Sequence, residues 1–215
     1  MRSMFDQQLK TLNEEMLYMG GLCEDTIQQT IEALMFGDVK KAHDLNNMMS
    51  QLTQQERSIE NICLKLLMQQ QPVARDLRTI SSSLKMVTDM ERIGIQACEI
   101  AEIIAAGNVV RATDKVDFQE LSDEVSHMVQ MAMMAYDKKD MNLADEVIKY
   151  DDVVDKLFCD IRGDLIKQLK DDTNDAECFI DMLMIDKYFE RIGDHAVNIA
   201  SWVKFSITGE IQIVE

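Results

Sequence analysis

Proline and glycine are scarce in this sequence, because its 215 residues include only one proline and eight glycines. Turns and irregular loops depend heavily on these two residues, so the chain can reverse direction at few places. Alternating β-branched runs, which are typical of strands, are nearly absent outside residues 211–214. The scarcity argues against a sheet-rich fold, and the many Met, Leu, Gln, Glu and Lys residues predict few, long helices.

Basic side chains are also in the minority. The 22 Lys and Arg residues stand against 39 Asp and Glu, which gives a formal net charge of -17. Nucleic-acid binding depends on clustered Lys and Arg that neutralise phosphates. The charge balance therefore argues against direct nucleic-acid binding and favours multivalent cations or basic protein surfaces as partners.

Long apolar runs and paired cysteines are missing as well. No uncharged apolar run approaches the roughly 18 residues that a membrane span needs, so we expect no membrane insertion and a cytoplasmic location. The five cysteines form an odd set without a C-x-x-C pair. We expect reduced core thiols rather than disulfides or a zinc finger.

A four-residue motif occurs twice. Glu91–Gly94 reads Glu-Arg-Ile-Gly, and the same residues return 99 positions later at Glu190–Gly193. The flanking matches at this offset pair Leu84 with Leu183, Ala97 with Ala196, Ile100 with Ile199 and Ala101 with Ala200. Similarity at a fixed offset is the signature of a repeated structural unit. The chain is therefore predicted to contain one helical unit twice.

Six long helices are predicted, at residues 4–36, 38–70, 74–106, 115–138, 140–170 and 175–206. Asp38 and Asp140 are predicted N-caps, and Asn174 with Glu177 has the form of a capping box. Short connections force neighbouring helices to run antiparallel. We therefore predict an all-α fold of two pseudo-repeated antiparallel three-helix bundles, with residues 1–110 in the first bundle and 111–215 in the second.

The sixth predicted helix has an unbroken apolar seam that marks its core face: Cys178, Met182, Ile185, Phe189, Ile192, Ala196, Ile199 and Val203. At 100° per residue, Glu190, Asp194 and Asn198 lie roughly 130°, 170° and 150° from the centre of this seam. We expect them to face solvent on one ridge. The third helix adds a second apolar stripe, which the other bundle or another subunit is expected to cover; it runs through Leu77, Ile80, Leu84 and Val87.

Two further pairs of acids lie four residues apart. They are Glu56 with Glu60 in the second predicted helix, and Asp151 with Asp155 in the fifth. Both pairs fall on the same flank of their helices, roughly 60° and 100° from the centre of the core seam, where they can meet an adjacent helix. Grouped carboxylate oxygens are hard ligands suited to Mg, Mn, Ca or Fe ions.

Three longer motifs carry a resemblance to a known family: Pro72–Arg78 (PVARDLR), Asp89–Gly94 (DMERIG) and Phe189–Ala200 (FERIGDHAVNIA). Along nearly its whole length the chain resembles PhoU, the accessory protein family of bacterial phosphate uptake systems. The resemblance implies a cytoplasmic homodimer that negatively regulates the phosphate-starvation response. It also implies two partners, the ATPase subunit of the phosphate ABC transporter and a sensor histidine kinase.

The same resemblance implies surface metal clusters, with Fe, Mn, Mg or Zn as the ion. The candidate ligands are Glu56, Glu60, Glu91, Glu99, Asp151, Asp155, Glu190, Asp194 and Asn198. The first copy departs from the pattern, because Ile95 stands where the second copy has Asp194. Gln96 and Glu99 likewise replace His195 and Asn198. The second bundle is therefore the stronger candidate for a metal site.

Other interpretations of these acids stay open. Acids four apart on a helix are most often a solvated face. A carboxylate-bridged di-iron enzyme would need two Glu-x-x-His motifs, and only Glu124 with His127 has that spacing. A metal-free adaptor would dock basic partner surfaces through the same ridges. No P-loop, dinucleotide fingerprint or nucleophile elbow occurs, so a non-enzymatic role is expected.

Overall fold

The computed structural model describes residues 2–69, 72–109, 116–171 and 175–210. Its helices are α1 (Arg2–Phe36), α2 (Val39–Asp44), α3 (Asn46–Gln69), α4 (Ala74–Ala106), α5 (Gln119–Lys138), α6 (Met141–Asp171) and α7 (Ala176–Thr208). These described ranges contain no strand, which confirms the predicted all-α class. Within them, no helix has the length and apolar character that crossing a membrane would require.

The helices pack as two three-helix bundles. Helices α1, α3 and α4 contact one another in the first bundle, and α5, α6 and α7 do so in the second. The bundles meet mainly through α4 and α7, with a further contact between α1 and α5. The predicted pair of pseudo-repeated bundles with six long helices is confirmed. The predicted boundary between residues 110 and 111 lies outside the described residues.

The predicted helix at 38–70 is interrupted at Leu45, which separates the short helix α2 from α3. The N–H of Leu45 is shared between the carbonyl oxygens of Lys41 and Ala42, and the N–H of Met48 bonds to Leu45. These three-residue steps tighten the helix locally. Ala42 and Leu45, which lie at this interruption, are both buried. The sequence pattern did not reveal this tightening.

Two of the three predicted helix N-caps lie within the described residues, and both are confirmed. The carboxylate of Asp38 accepts from the N–H of Lys41, and that of Asp140 accepts from the N–H of Leu143. Asn174 lies outside the described residues, and α7 begins at Ala176 after Asp175, which makes no side-chain capping bond. Aspartate caps therefore set the starts of α2 and α6.

The predicted core seams are buried. On α7, every seam residue from Met182 to Val203 is at most 1% exposed, and only Cys178 at the helix start is partly exposed. In the second stripe of α4, Ile80 and Val87 are fully buried within the single chain, whereas Leu77 is exposed. The chain's own helices thus cover much of this stripe.

All five cysteines are free thiols, which agrees with the expectation of no disulfides. Cys23, Cys63 and Cys98 are buried, but Cys178 is only partly buried. The expectation of core thiols is wrong for Cys159, which is exposed. Only one face of α6 packs into the bundle, and Cys159 lies on the opposite face.

Candidate functional site

Four acids of the second bundle gather where α6 and α7 pack together. They are Asp151 and Asp155 on α6, and Glu190 and Asp194 on α7, and we name them the second-bundle cluster. Burial raises the pKa of Asp151 to about 6, and repulsion from Asp155, Asp194 and Glu190 adds to the rise. Burial and then Glu190 also raise the pKa of Asp194. This mutual repulsion indicates that the four acids lie close together in one patch.

A glycine lets the two helices approach at this cluster. A Cβ atom at Gly193 would lie 3.3 Å from Val154 Cγ1 and 3.7 Å from an Asp151 carboxylate oxygen. The backbone of α7 thus lies directly beneath Asp151. This close approach brings the carboxylate of Asp151 on α6 near the acids of α7.

One cation partly neutralises the second-bundle cluster. Lys187 forms an ion pair with Glu190, whose side chain is 13% exposed. The ammonium group of Lys187 also lies 5.2 Å from the centre of the Phe158 ring, which holds it near the α6–α7 contact. The cluster of four carboxylates therefore keeps a strong negative charge.

Sequence reasoning missed a fifth acid, Asp186, which lies one turn before Glu190. Its side chain is fully buried, and neither carboxylate oxygen has a hydrogen-bond partner in the structure. Burial raises its pKa to about 8, repulsion from Glu190 adds to this, and Arg162 and Lys187 oppose it. Successive residues four apart rotate by about 40° around a helix. The ridge that points outward at Asp194 therefore turns toward the core at Asp186, and its i, i+4, i+8 spacing was the available signal.

Three acids form the equivalent first-bundle cluster: Glu56 and Glu60 on α3, and Glu91 on α4. Burial raises the pKa of Glu56, and Glu91 and then Glu60 add to the rise. The hydroxyl of Thr53 donates to Glu91 at 3.0 Å. Partly buried Ile95 occupies the fourth position, so this copy has one carboxylate fewer.

Glu99 and Asn198 lie in the contact between α4 and α7. The Asn198 side chain donates to Asp89 at 3.2 Å, and Nδ1 of His195 lies 3.0 Å from the same carboxylate oxygen. The Tyr188 hydroxyl donates to Glu99 at 3.4 Å. Asp89 and Tyr188 are equivalent at the repeat offset, as are Glu99 and Asn198. The same contact thus occurs twice between the two bundles, and ligation by this pair stays a prediction.

The clusters have suitable donors for a hard cation but not a preformed metal geometry. Across the parts of the chain that the structure describes, no group of three or more His, Cys, Asp or Glu side chains is arranged to hold a metal ion. Carboxylate oxygens are hard donors, and neither oxygen of buried Asp186 has a hydrogen-bond partner. Binding a cation would therefore require side-chain movement, including release of Glu190 by Lys187.

The residues of the di-iron alternative do not face a bundle core. Glu124 accepts a hydrogen bond from the Tyr150 hydroxyl. The His127 ring, which is exposed, packs edge-on against Tyr150 with the ring centres 5.5 Å apart. A di-iron site requires ligands that project into the bundle interior. The geometry of Glu124 and His127 gives this alternative no support.

These features define a class: an all-α protein in which a three-helix unit occurs twice and each unit carries a cluster of acids between two helices. The PhoU domain family matches residues 16–104 and 118–203, one match in each bundle. The chain belongs to the PhoU family.

Relatives match this chain along nearly its whole length. A protein of Clostridium acetobutylicum named phosphate-specific transport system accessory protein PhoU homolog is 33% identical, covering 97% of this chain and 96% of the relative. A Pseudomonas aeruginosa protein of the same name is 32% identical over 95% of this chain and 86% of its own.

Solved structures agree with this fold. The crystal structure of PhoU from Pseudomonas aeruginosa superposes with a TM-score of 0.90 at 31% identity, covering 96% of this chain and all of that one. PhoU from Streptococcus pneumoniae gives 0.89 at 22% identity, covering 98% of this chain and all of that one. The second likeness concerns the fold alone.

Proposed function

We propose that this chain is a cytoplasmic, non-enzymatic accessory protein of phosphate transport that negatively regulates the phosphate-starvation response. The observation that carries the proposal is the end-to-end match to relatives named as accessory proteins of a phosphate-specific transport system. The proposed partners are the ATPase subunit of the phosphate ABC transporter and a sensor histidine kinase, and the proposed assembly is a homodimer. The net charge of -17 favours basic docking surfaces on these partners.

Deleting the gene in its native host is expected to switch on phosphate-starvation genes although phosphate is abundant, because the kinase would lose its negative regulator. A reporter for those genes, read in phosphate-rich medium with and without a plasmid copy, makes the measurement. Unchanged reporter activity in the deletion strain would contradict the regulatory role.

We further propose that the second-bundle cluster binds a divalent or iron-type cation, with Fe, Mn, Mg or Zn as candidates. Support comes from the shared charge: burial raises the pKa values of Asp151 and Asp194, repulsion among the acids adds to the rise, and a cation would relieve that repulsion. Such an ion would link α6 to α7 through oxygen ligands. The first-bundle cluster is expected to bind more weakly, because Ile95 replaces the fourth acid.

Mn²⁺ is expected to stabilise the wild-type protein and to have little effect on the Glu190→Ala, Asp194→Ala double variant. A ligand at 100 times its Kd adds about 2.7 kcal/mol to the free energy of unfolding. The variant lacks two of the four carboxylates proposed to bind the ion, so it should lose most of this stabilisation. Thermal melts and calorimetric titrations of chelator-treated protein measure both quantities.

The matched control for this test is Glu120→Ala with Asp123→Ala, which removes the same charge from two exposed positions on α5. It should respond to Mn²⁺ as the wild type does. Equal responses from the cluster variant and the wild type would exclude Glu190 and Asp194 as ligands.

A further inference from the structure

A cleft of about 700 Å³ lies where α1, the start of α4 and the ends of α5 and α7 meet. Its polar lining includes Lys10 from α1, Arg75 and Arg78 from α4, and Lys139 at the end of α5. We name it the terminal cleft. Arg75 and Arg78 belong to the Pro72–Arg78 motif, and neither carboxylate cluster supplies a residue to its lining.

The terminal cleft is basic in a strongly acidic protein. Its four cations face only two lining carboxylates, Asp76 and Asp137, in a chain whose net charge is -17. Lys10 pairs with Glu14. The described residues provide no ion-pair partner for Arg75, Arg78 or Lys139. Three cations therefore share one cavity without neutralising contacts.

The guanidinium of Arg78 is held in place but is not fully hydrogen-bonded. Its Nε atom is buried without a hydrogen-bond partner. A Cβ atom at Gly209, where α7 ends with φ of +79°, would lie only 2.7 Å from Arg78 Nη1. Glycine thus allows the helix end to press against the guanidinium. A buried N–H group without an acceptor is costly, so a bound acceptor would stabilise this arrangement.

Lys139 adopts an unusual backbone conformation at the terminal cleft. Its φ is +51°, and no other non-glycine residue among those described has a positive φ. The equivalent helix end in the first bundle has Gly37, with φ of +60°, and both sites precede an aspartate N-cap. The left-handed region is strained for a side-chain-bearing residue, and such strain is concentrated at functional sites. The second repeat thus has a lysine at the position where the first repeat has a glycine, which adopts this conformation without strain.

We propose that the terminal cleft binds a phosphoryl dianion, supplied either by inorganic phosphate or by the phosphate group of a small organic ester. Arginine presents several N–H donors in a fork that matches phosphate oxygens, and lysine adds a point charge. Leu9, Leu12 and the ring of Tyr136 provide an apolar wall for an organic moiety. The volume lies within the range of small-molecule sites, about 300–1,000 Å³. This binding does not depend on the proposed metal clusters.

Calorimetric titration of the full chain at low ionic strength, with a chelator present, tests the proposal with inorganic phosphate and with adenosine monophosphate in separate runs. Arg75→Gln and Arg78→Gln are each expected to weaken binding about ten-fold, because each removes charged hydrogen bonds. Lys167→Gln removes a cation from an exposed site on α6 and should bind as the wild type does. If both ligands bind, inorganic phosphate alone is sufficient for binding. If only adenosine monophosphate binds, the terminal cleft requires the organic part of a phosphate ester.

Lys139→Gly is the variant that keeps the test decisive if Arg78→Gln folds poorly. Its melting temperature should rise by about 2 °C because the backbone strain is relieved, while its affinity for the phosphoryl ligand falls. A purely structural lysine would give the rise in melting temperature without the loss of affinity. The proposal is overturned if neither ligand binds at millimolar concentration, or if Arg75→Gln and the stabilised Lys139→Gly variant both bind as tightly as the wild type.

Discussion

Replacing Asp186 with asparagine is expected to remove a large loss of stability that the wild-type protein shows as pH rises from about 4 to 8. Burial raises the pKa of Asp186 from 3.8 to about 8 in the folded protein. Between these values only the unfolded chain releases the proton, so rising pH favours unfolding. At about 1.4 kcal/mol per pH unit, this window of about four pH units corresponds to up to about 6 kcal/mol. Asparagine keeps the shape and has no charge to bury.

Urea unfolding at pH 4.5, 6 and 8.5, with a chelator present, measures this difference. Asp151→Asn is the matched control, because the pKa of Asp151 rises only to about 6. The stability difference between this control and the wild type should stop growing near pH 6. The difference between Asp186→Asn and the wild type should instead keep growing up to pH 8.5. Parallel stability curves for the wild type and the Asp186 variant would show that this carboxyl group titrates normally.

The two equivalent glycines of the repeat are expected to respond differently to alanine. A Cβ atom at Gly94 would lie 2.3 Å from Leu52 Cδ1, and Leu52 is only 1% exposed, so it has little room to move. Overpacking of this kind should lower the free energy of unfolding by about 1–3 kcal/mol. At Gly193 the nearest atom is 3.3 Å away, and alanine gains about 1 kcal/mol of helix propensity. Gly193→Ala should therefore be nearly neutral or stabilising.

Denaturant unfolding of the two single variants tests the difference. A double-mutant cycle with Leu52→Ala adds a control, because shortening Leu52 should remove most of the penalty at Gly94. If both glycine variants lose the same stability, the two copies of the motif have the same packing and the contrast between them is wrong.

Much of the fold was predictable from local patterns. The repeated Glu-Arg-Ile-Gly motif predicted the duplication, and the apolar seam of α7 predicted which face is buried, because helical geometry alone fixes which residues share a face. The Asp38 and Asp140 caps were predictable for the same reason, since a cap bonds within its own turn. The interruption at Leu45 was not, because it depends on how Ala42 and Leu45 pack against other helices.

The candidate site was predicted in part. Angles around α7 correctly place Asp194 outward, but the expectation that Glu190 faces solvent is wrong, because its side chain is only 13% exposed. The angles also do not reveal that Asp186 is buried, since burial depends on how closely neighbouring helices approach α7. The contacts of Asp89 with His195 and Asn198 join residues of different bundles. No local pattern specifies which residues of two repeats will meet. The basic terminal cleft was missed for the same reason, because its lining comes from four helices.

Locating bound Mn²⁺ directly is the sharpest test of the claim that the second-bundle cluster is a cation site. Crystals grown with Mn²⁺ should give an anomalous-difference peak between α6 and α7, within coordination distance of Glu190 and Asp194, with Lys187 displaced from Glu190. An empty cluster with the Lys187–Glu190 pair intact, at a Mn²⁺ concentration that occupies other carboxylate sites, would contradict it.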